Sequence, residues 1–192
     1  YDAGEGVPQD FAKAVHWYEQ AAKQGDESAM VNLALLYQQG QGVPQDYAKA
    51  RTWFEKAAQQ GNPKAADNLG EMYTKGLGVT KDEAKANSWY AKATQSYEKD
   101  ANLGDTSAMV ALASRYQYGT AGTQDYKKSA YWYERAAQYG NPEIQYLAGT
   151  IYDIVPEDNK DLVKAFHWYK KAAEGGNLSA MFALAIAYEN GY

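Results

Sequence analysis

The chain has 192 residues, of which 45% are hydrophobic and 14% aromatic, and its formal net charge is −5. This composition excludes a disordered chain, and the negative charge gives no electrostatic reason to bind nucleic acid or an anionic membrane. Cysteine is absent, which excludes disulfides and cysteine nucleophiles, and no apolar run approaches the ~20 residues of a membrane span.

Aromatic residues recur along the chain at fixed spacings. The tryptophans are separated by 36, 36, 43 and 36 residues, and each is followed by Tyr or Phe: Trp17, Trp53, Trp89, Trp132 and Trp168. An Asp lies seven residues before each Trp, and a Tyr lies nine residues before each Asp, beginning with Tyr1. Such dense matches indicate a repeat of about 36 residues, the signature of a helical array.

In chain order, the repeats predict ten helices and no sheet, in one domain over residues 1–192. Each complete repeat has a helix A, which carries the recurring Tyr, and a helix B, which carries the Trp. The expected units are helix B of a partial repeat 1 (1–25), repeat 2 (26–61), repeat 3 (62–104), repeat 4 (105–140), repeat 5 (141–176) and helix A of a partial repeat 6 (177–192). Both ends divide a repeat, so further repeats or caps are expected beyond them.

Repeat 2 shows why each repeat is expected to form two helices. Asp26 is a candidate N-cap, and the apolar residues after it follow the i, i+3, i+4, i+7 spacing of one helix face: Met30, Leu33, Ala34 and Tyr37. Glycines end helix A, Asp46 is expected to cap helix B, and Gly61 supplies a left-handed stop. Connections this short make neighbouring helices antiparallel. Trp53 and Tyr73 are expected to be buried between the helices.

Seven extra residues separate Trp89 from Trp132 in repeat 3. Seven residues turn through ~700°, about 20° short of two turns, so the buried face is preserved. No Gly or Pro lies between Glu83 and Leu103. We therefore predict one helix from about Asp82 to Leu103, ~10 Å longer than the others. The alternative is a helix extended by one turn and followed by an extended return.

Repeats 4 and 5 depart from the glycine turn that follows helix A elsewhere. Repeat 4 has Tyr118, Gly119 and residues 120–123 there, while repeat 5 has residues 153–157, ending at Glu157, with no glycine. Gln145 and Ala148 also replace the usual Met and Leu. These two repeats are expected to pack less regularly.

The repeat pattern is clearest at residues 65–94, in Ala65, Leu69, Gly70, Tyr73, Gly76, Gly78, Val79, Asp82, Lys85, Ala86, Trp89, Tyr90 and Ala93. It resembles the Sel-one-like repeat, a relative of the tetratricopeptide repeat, over essentially the whole chain. The resemblance implies a right-handed α/α superhelix that serves as an adaptor or scaffold for other proteins. It also implies a soluble protein, in many cases bacterial and exported or periplasmic, with the cytoplasm as the alternative.

Residues that could support catalysis follow the repeat. His16 and His167 each precede a Trp, four repeats apart, which favours two surface histidines over a joint site. Asp67 and Glu71 share a helix face, where an exposed polar stripe or part of a ligand groove is favoured over a cation site or acid pair. The five linker Asp residues are expected N-caps, and the lysines three residues after them a solvated row. We therefore expect a non-catalytic protein with no cofactor and no metal site.

The resemblance implies that helix A lines the concave side of the array. The candidate partner-binding residues lie six and two positions before the helix-A Tyr: Val31, Leu35, Asp67, Glu71, Val110, Ser114, Tyr146, Thr150, Phe182 and Ile186. Apolar side chains here, without clustered Lys or Arg, predict a protein or peptide partner with apolar side chains and basic character. The alternative is that the apolar residues pack on the adjacent helix A. A structural spacer is the second functional hypothesis, and an enzyme the third.

Overall fold

The computed structural model describes residues 8–156 and 160–191, apart from the side chain of Ala121. Tyr1 and Glu157 therefore lie outside the described residues. Within these ranges there is no strand, and the predicted all-α fold with ten helices is confirmed. The helices are α1 (Phe11–Lys23), α2 (Glu27–Gln39), α3 (Tyr47–Gln59), α4 (Pro63–Lys75), α5 (Glu83–Asn102), α6 (Thr106–Tyr118), α7 (Tyr126–Ala137), α8 (Pro142–Ile154), α9 (Leu162–Glu174) and α10 (Leu178–Asn190).

The helices form two compact units, residues 1–96 and 97–192. In the first unit, α2 packs against α1 and α3, and α3 packs against α4. Its largest fully buried side chains are Phe54, Leu33, Leu69 and Met72. In the second unit, α8 packs against α7 and α9, while α6 packs on α7 and α10 on α9. Each unit thus has its own core of alternating A and B helices, and the expected organisation as one domain stays a prediction.

The predicted N-caps are confirmed by hydrogen bonds. The Asp46 carboxylate accepts from the Lys49 amide at 2.9 Å, and Asp125 accepts from the Lys128 amide at 3.0 Å. The same bond to the Lys85 amide holds the pKa of Asp82 below its usual value. Each cap satisfies a free amide of the first helical turn. These carboxylates begin helices, as their spacing predicted.

The long helix in repeat 3 is also confirmed. Helix α5 has 20 residues without interruption, whereas the other helices have 12 or 13. The insertion preserves the contact between helix B and the next helix-A tyrosine, because Glu98 accepts a hydrogen bond from the Tyr116 hydroxyl at 3.0 Å. Glu19 accepts the equivalent bond from Tyr37 at 2.9 Å in the first unit. The inserted seven residues therefore supply a second copy of the position that anchors the next helix-A tyrosine.

The linkers of repeats 4 and 5 differ from the others, as expected. Repeat 4 forms a 3-10 turn at Thr120–Gly122, and α8 ends at Ile154 and is followed by Val155 with an extended backbone. Gln145 is buried, and its amide donates to the Ala137 carbonyl at 3.4 Å. Helices α6 and α8 nevertheless keep the 13 residues of the other A helices, so the irregularity is confined to the turns.

Burial of the aromatic residues was only partly predicted. Trp132 and Trp168 are buried, but Trp53 and Tyr73 are half-buried and Trp17 is 60% exposed. Apart from Trp17, each tryptophan ring lies beside the cation three residues later: the Lys56 Nζ is 4.3 Å from the Trp53 ring centroid, and the Lys92 Nζ is 4.2 Å from the Trp89 ring centroid. One face of each ring is covered and the other is open to solvent or the cation, so Trp53 and Tyr73 are less buried than expected.

Candidate functional site

The predicted partner-binding residues of the first unit lie on α2 and α4. Val31 is only 7% exposed and belongs to the core of this unit, which favours the packing alternative at this position. Leu35, Asp67 and Glu71 are half-buried. Glu71 forms an ion pair with Lys75 one turn later, an arrangement that favours a polar stripe over an acid pair.

The predicted residues of the second unit lie on α6, α8 and α10. Val110, Ser114, Tyr146 and Thr150 are half-buried, whereas Phe182 is 70% and Ile186 41% exposed. Two further apolar side chains at the ends of these helices are exposed, Tyr118 at 76% and Ile154 at 58%. We define the helix-A face of the second unit as these residues: Val110, Ser114, Tyr118, Tyr146, Thr150, Ile154, Phe182 and Ile186. Exposed apolar groups of this size are typical of interfaces.

Tyrosines from the B helices support this face from beneath. The Tyr133 hydroxyl is 3.0 Å from the Ser114 hydroxyl and donates to Gln117 Oε1 at 3.2 Å. Burial raises the pKa of Tyr133, so the hydroxyl remains a donor at neutral pH. The sequence contains a signal for this contact. In repeats 3 to 5 the residue after the Trp is Tyr, and the residue two positions before the helix-A Tyr is polar. In repeat 2 the corresponding residues are the apolar Phe54 and Leu35.

Tyr169 supports helix α8 in the same way. Its hydroxyl donates to Asp153 Oδ2 at 3.3 Å, and its ring lies 5.7 Å from the Tyr146 ring. Gly149 makes room for it, because an added Cβ would lie 2.6 Å from Tyr169 Cδ1. Burial, together with the Asp153 charge, raises the pKa of Tyr169 to about 12. The candidate residue Tyr146 is therefore held by a buried, protonated tyrosine.

An apolar groove of about 50 Å³ opens between α9 and α10. It is lined by Leu162, Phe166, Tyr169, Ala183, Ile186 and Ala187, with the Asp153 carboxylate at one side. Of the predicted residues the structure brings Ile186 to this groove. Sequence reasoning missed the rest, although one signal existed: Ala183 and Ala187 stand where the preceding repeat has Leu147 and Ile151.

The lysines expected to form a solvated row have a further role. Lys49 lies over the Tyr37 ring at 5.1 Å, and Lys128 over Tyr116 at 5.0 Å. Lys164 lies 4.8 Å from the Tyr152 ring centroid and also donates to its hydroxyl at 3.2 Å. Although the lysines are largely exposed, each such contact typically contributes about 0.5–1 kcal/mol. The row therefore holds the helix-A tyrosines in place.

A larger cavity of about 440 Å³ lies on the helix-B side of the second unit. Its lining mixes lysines, among them Lys127 and Lys164, with the carboxylates of Glu134 and Asp161. The Lys164 Nζ is already 3.8 Å from Glu134. Mixed charges that pair with one another indicate a solvated linker pocket and give no chemical preference for a ligand.

The two histidines lie on the surface of their helices. His16 and His167 are both exposed, each packed edge-on against the following Trp at 5.3 Å. Within residues 8–156 and 160–191, no group of three His, Asp or Glu side chains could hold a metal ion. Among the helices described, none combines the length and the hydropathy needed to cross a membrane.

Comparison with known proteins identifies the repeat. The family model described as Sel1 repeat matches residues 1–26, 27–62, 63–96, 106–141, 146–177 and 178–192. Sel1 repeats generally mediate protein–protein interactions, and their helical solenoid is typically non-catalytic. No curated protein matches the chain.

Solved structures share the fold. A Sel1 repeat protein from Oxalobacter formigenes is 35% identical, with a TM-score of 0.64 over 98% of this chain and 74% of that one. An immunity protein from Pseudomonas aeruginosa is 25% identical, with a TM-score of 0.52 over 93% of this chain and 63% of that one. A second P. aeruginosa immunity protein is 24% identical, with a TM-score of 0.51 over 94% and 63% of the two chains, a likeness of fold alone.

Proposed function

Because the chain belongs to the Sel1 repeat family, we propose that it is a non-catalytic scaffold that binds another protein through the helix-A face of its second unit. The observation that carries the proposal is the exposure of a large apolar side chain on each of three successive A helices: Tyr118 at the end of α6, Ile154 at the end of α8 and Phe182 near the start of α10. A spacer, the second candidate, needs a polar surface there. Exposed aromatic and aliphatic anchors are instead typical of the centre of an interface.

The charge on these helices favours a basic partner. Neither α8 nor α10 contains Lys or Arg, while they carry Glu143, Asp153 and Glu189. The Arg115 side chain of α6 is buried. Most cations of this unit lie instead on the B helices α7 and α9. Since complementary charge speeds association and selects partners, a protein segment with apolar side chains and Lys or Arg fits best.

A non-catalytic role is supported by the family and by the location of the residue whose pKa is shifted most. Tyr169, whose pKa is raised to about 12, is buried and donates to Asp153, as a structural hydroxyl would. One similar structure is that of an immunity protein, which supports an inhibitor-type interaction as one form of scaffold function. The bacterial origin of the similar structures supports a bacterial protein, exported or periplasmic, with the cytoplasm as the alternative.

The test is capture of binding partners from the native lysate by the tagged chain, identified by mass spectrometry and compared between variants. A triple variant, Val110→Ser, Tyr146→Ser and Phe182→Ser, should lose the captured proteins. Because Tyr146 contacts Tyr169, a second variant changes exposed residues only: Tyr118→Ser, Ile154→Ser and Phe182→Ser.

The matched control is Val163→Ser on α9, which is 81% exposed but lies on a B helix. It should capture the same proteins as the parent chain. Equal capture by all folded variants would place the interface elsewhere, and absence of any specific partner would favour the spacer.

A further inference from the structure

We infer that a pocket in the first unit binds a phosphate group through Arg51, Lys81 and Lys85. The pocket has a volume of about 260 Å³ and opens where the linker between α4 and α5 lies beside α3. Its polar lining residues are Arg51, Tyr73, Thr80, Lys81, Asp82 and Lys85. The site is independent of the proposed function, because it involves neither the second unit nor the residues assigned to partner binding.

Positive charge is concentrated in this pocket, although the whole chain has a net charge of −5. Three cations line it against one carboxylate, Asp82, which already accepts from the Lys85 amide at 3.0 Å and lies 3.4 Å from the Lys85 Nζ. The cavity of about 440 Å³ at the matching place in repeat 5 has three lysines but two carboxylates, and Lys164 there lies 3.8 Å from Glu134. The pocket shape therefore recurs, but the cations of repeat 3 are less neutralised within it.

Arg51 is the residue that distinguishes this pocket from its equivalents. At its position, five residues after the linker Asp, the other B helices carry Val15, Asn87, Ala130 and Phe166. The Arg51 Nε lies 3.4 Å from Glu55 Oε1, and both side chains are partly exposed, so this ion pair is weak. A guanidinium has five N–H donors in a planar fork. Its terminal amino groups therefore remain for two oxygens of a phosphate, which arginine binds in this bidentate manner.

The Tyr73 hydroxyl adds a neutral donor. In the preceding repeat, Tyr37 donates its hydroxyl to Glu19, 18 residues earlier, at 2.9 Å. The residue at the same distance before Tyr73 is Glu55, which is paired with Arg51 instead. Within the described residues that acceptor is thus taken, and the Tyr73 hydroxyl can donate into the pocket. Hydroxyl and cationic donors on several sides suit the three acceptor oxygens of a phosphate group better than the two of a carboxylate.

The probe is inorganic phosphate, titrated into the whole chain at constant pH and ionic strength while amide nuclear magnetic resonance spectra are recorded. The amide signals of residues 79–85 should shift in a saturable way, and acetate under the same conditions should shift them less. Shifts that grow linearly with phosphate, or equal saturation by acetate, would overturn the inference.

A phosphoserine tripeptide distinguishes the two sources of the phosphate group. Saturation by the tripeptide at a lower concentration than inorganic phosphate supports the site and assigns the group to a phosphorylated protein segment. Equal affinities support the site and assign it to the free ion.

Two substitutions remove cations of the pocket, and each introduces a residue that another repeat carries at the same position. Arg51→Ala matches Ala130, and Lys81→Gln matches Gln45, so both variants should fold. Each should weaken phosphate binding about tenfold, as expected for the loss of one charge-assisted hydrogen bond. The matched control is Lys64→Gln, which removes an exposed cation of α4 outside the pocket and should leave the affinity within about twofold.

Circular dichroism establishes that each variant is folded before affinities are compared. Unchanged affinity in the two pocket variants, or an equal loss in Lys64→Gln, would overturn the inference. Neither result would affect the proposed function, whose variants all lie in the second unit.

Discussion

Replacing Gly42 by Ala should destabilise the first unit far more than the same change at Gly61. Gly42 has φ of +72°, and an added Cβ would lie 2.4 Å from the Phe11 carbonyl carbon and 2.7 Å from the Ala12 amide nitrogen. Carbon atoms in contact normally stay about 3.5–4.0 Å apart. These atoms are backbone at the start of α1, so no rotation of a side chain can relieve the overlap, and the helix itself must move.

The magnitude follows from two contributions. A left-handed conformation costs an alanine about 1–2 kcal/mol, and overpacking in a closed contact costs about 1–3 kcal/mol. Gly42→Ala should therefore lower the free energy of unfolding by about 2–5 kcal/mol. Gly61 has φ of +100° but nothing within 4 Å of its added Cβ, so Gly61→Ala should cost the backbone contribution alone, about 1–2 kcal/mol.

The assay is urea unfolding followed by far-ultraviolet circular dichroism, with the parent chain and both variants compared under one condition. A shift of the midpoint that is clearly larger for Gly42→Ala supports close packing of the linker on the preceding helix B. Equal shifts would refute that contact, since both variants carry the backbone strain.

Two further predictions concern the cores. Phe54→Ala should lower the free energy of unfolding by about 3–5 kcal/mol, because Phe54 is fully buried; half-buried Trp53→Ala should cost less, and the reverse order in urea unfolding would contradict the assigned burial. Stability should fall as pH rises from about 10, the unfolded pKa of Tyr, to about 12, the folded pKa of Tyr169. In that window the unfolded chain has lost a proton that the folded chain keeps, so Tyr169 contributes a slope of at most ~1.4 kcal/mol per pH unit. Tyr169→Phe should flatten the loss, and identical slopes in the two proteins, measured by urea midpoints at several pH values, would argue against a buried hydroxyl.

Much of the fold could be predicted because it depends on local signals. The Asp caps and glycine stops fixed the helix ends, and the absence of Gly and Pro across the insertion identified α5 as one helix. Burial was harder to predict. The recurrence of Trp identifies equivalent positions in the repeats but does not tell how deeply each side chain is buried. Trp53, for example, is half-buried beside Lys56.

The site was predicted less completely, for a physical reason. Repeat spacing places Val31 and Phe182 at equivalent positions, yet the first is buried and the second exposed, because burial depends on neighbouring helices. The groove between α9 and α10 has Ala183 and Ala187 on one wall, and a search for reactive residue types passes over alanine.

Hydroxyl-radical footprinting of the chain, free and bound to its captured partner, tests the binding face most directly. Oxidation of Tyr118 and Phe182, both largely exposed in the free chain, should fall in the complex. Oxidation of Tyr131 on α7 and Val163 on α9, which are also exposed, should not change. Protection of Tyr131 and Val163 with undiminished oxidation of Tyr118 and Phe182 would contradict the account and place the partner on the B helices.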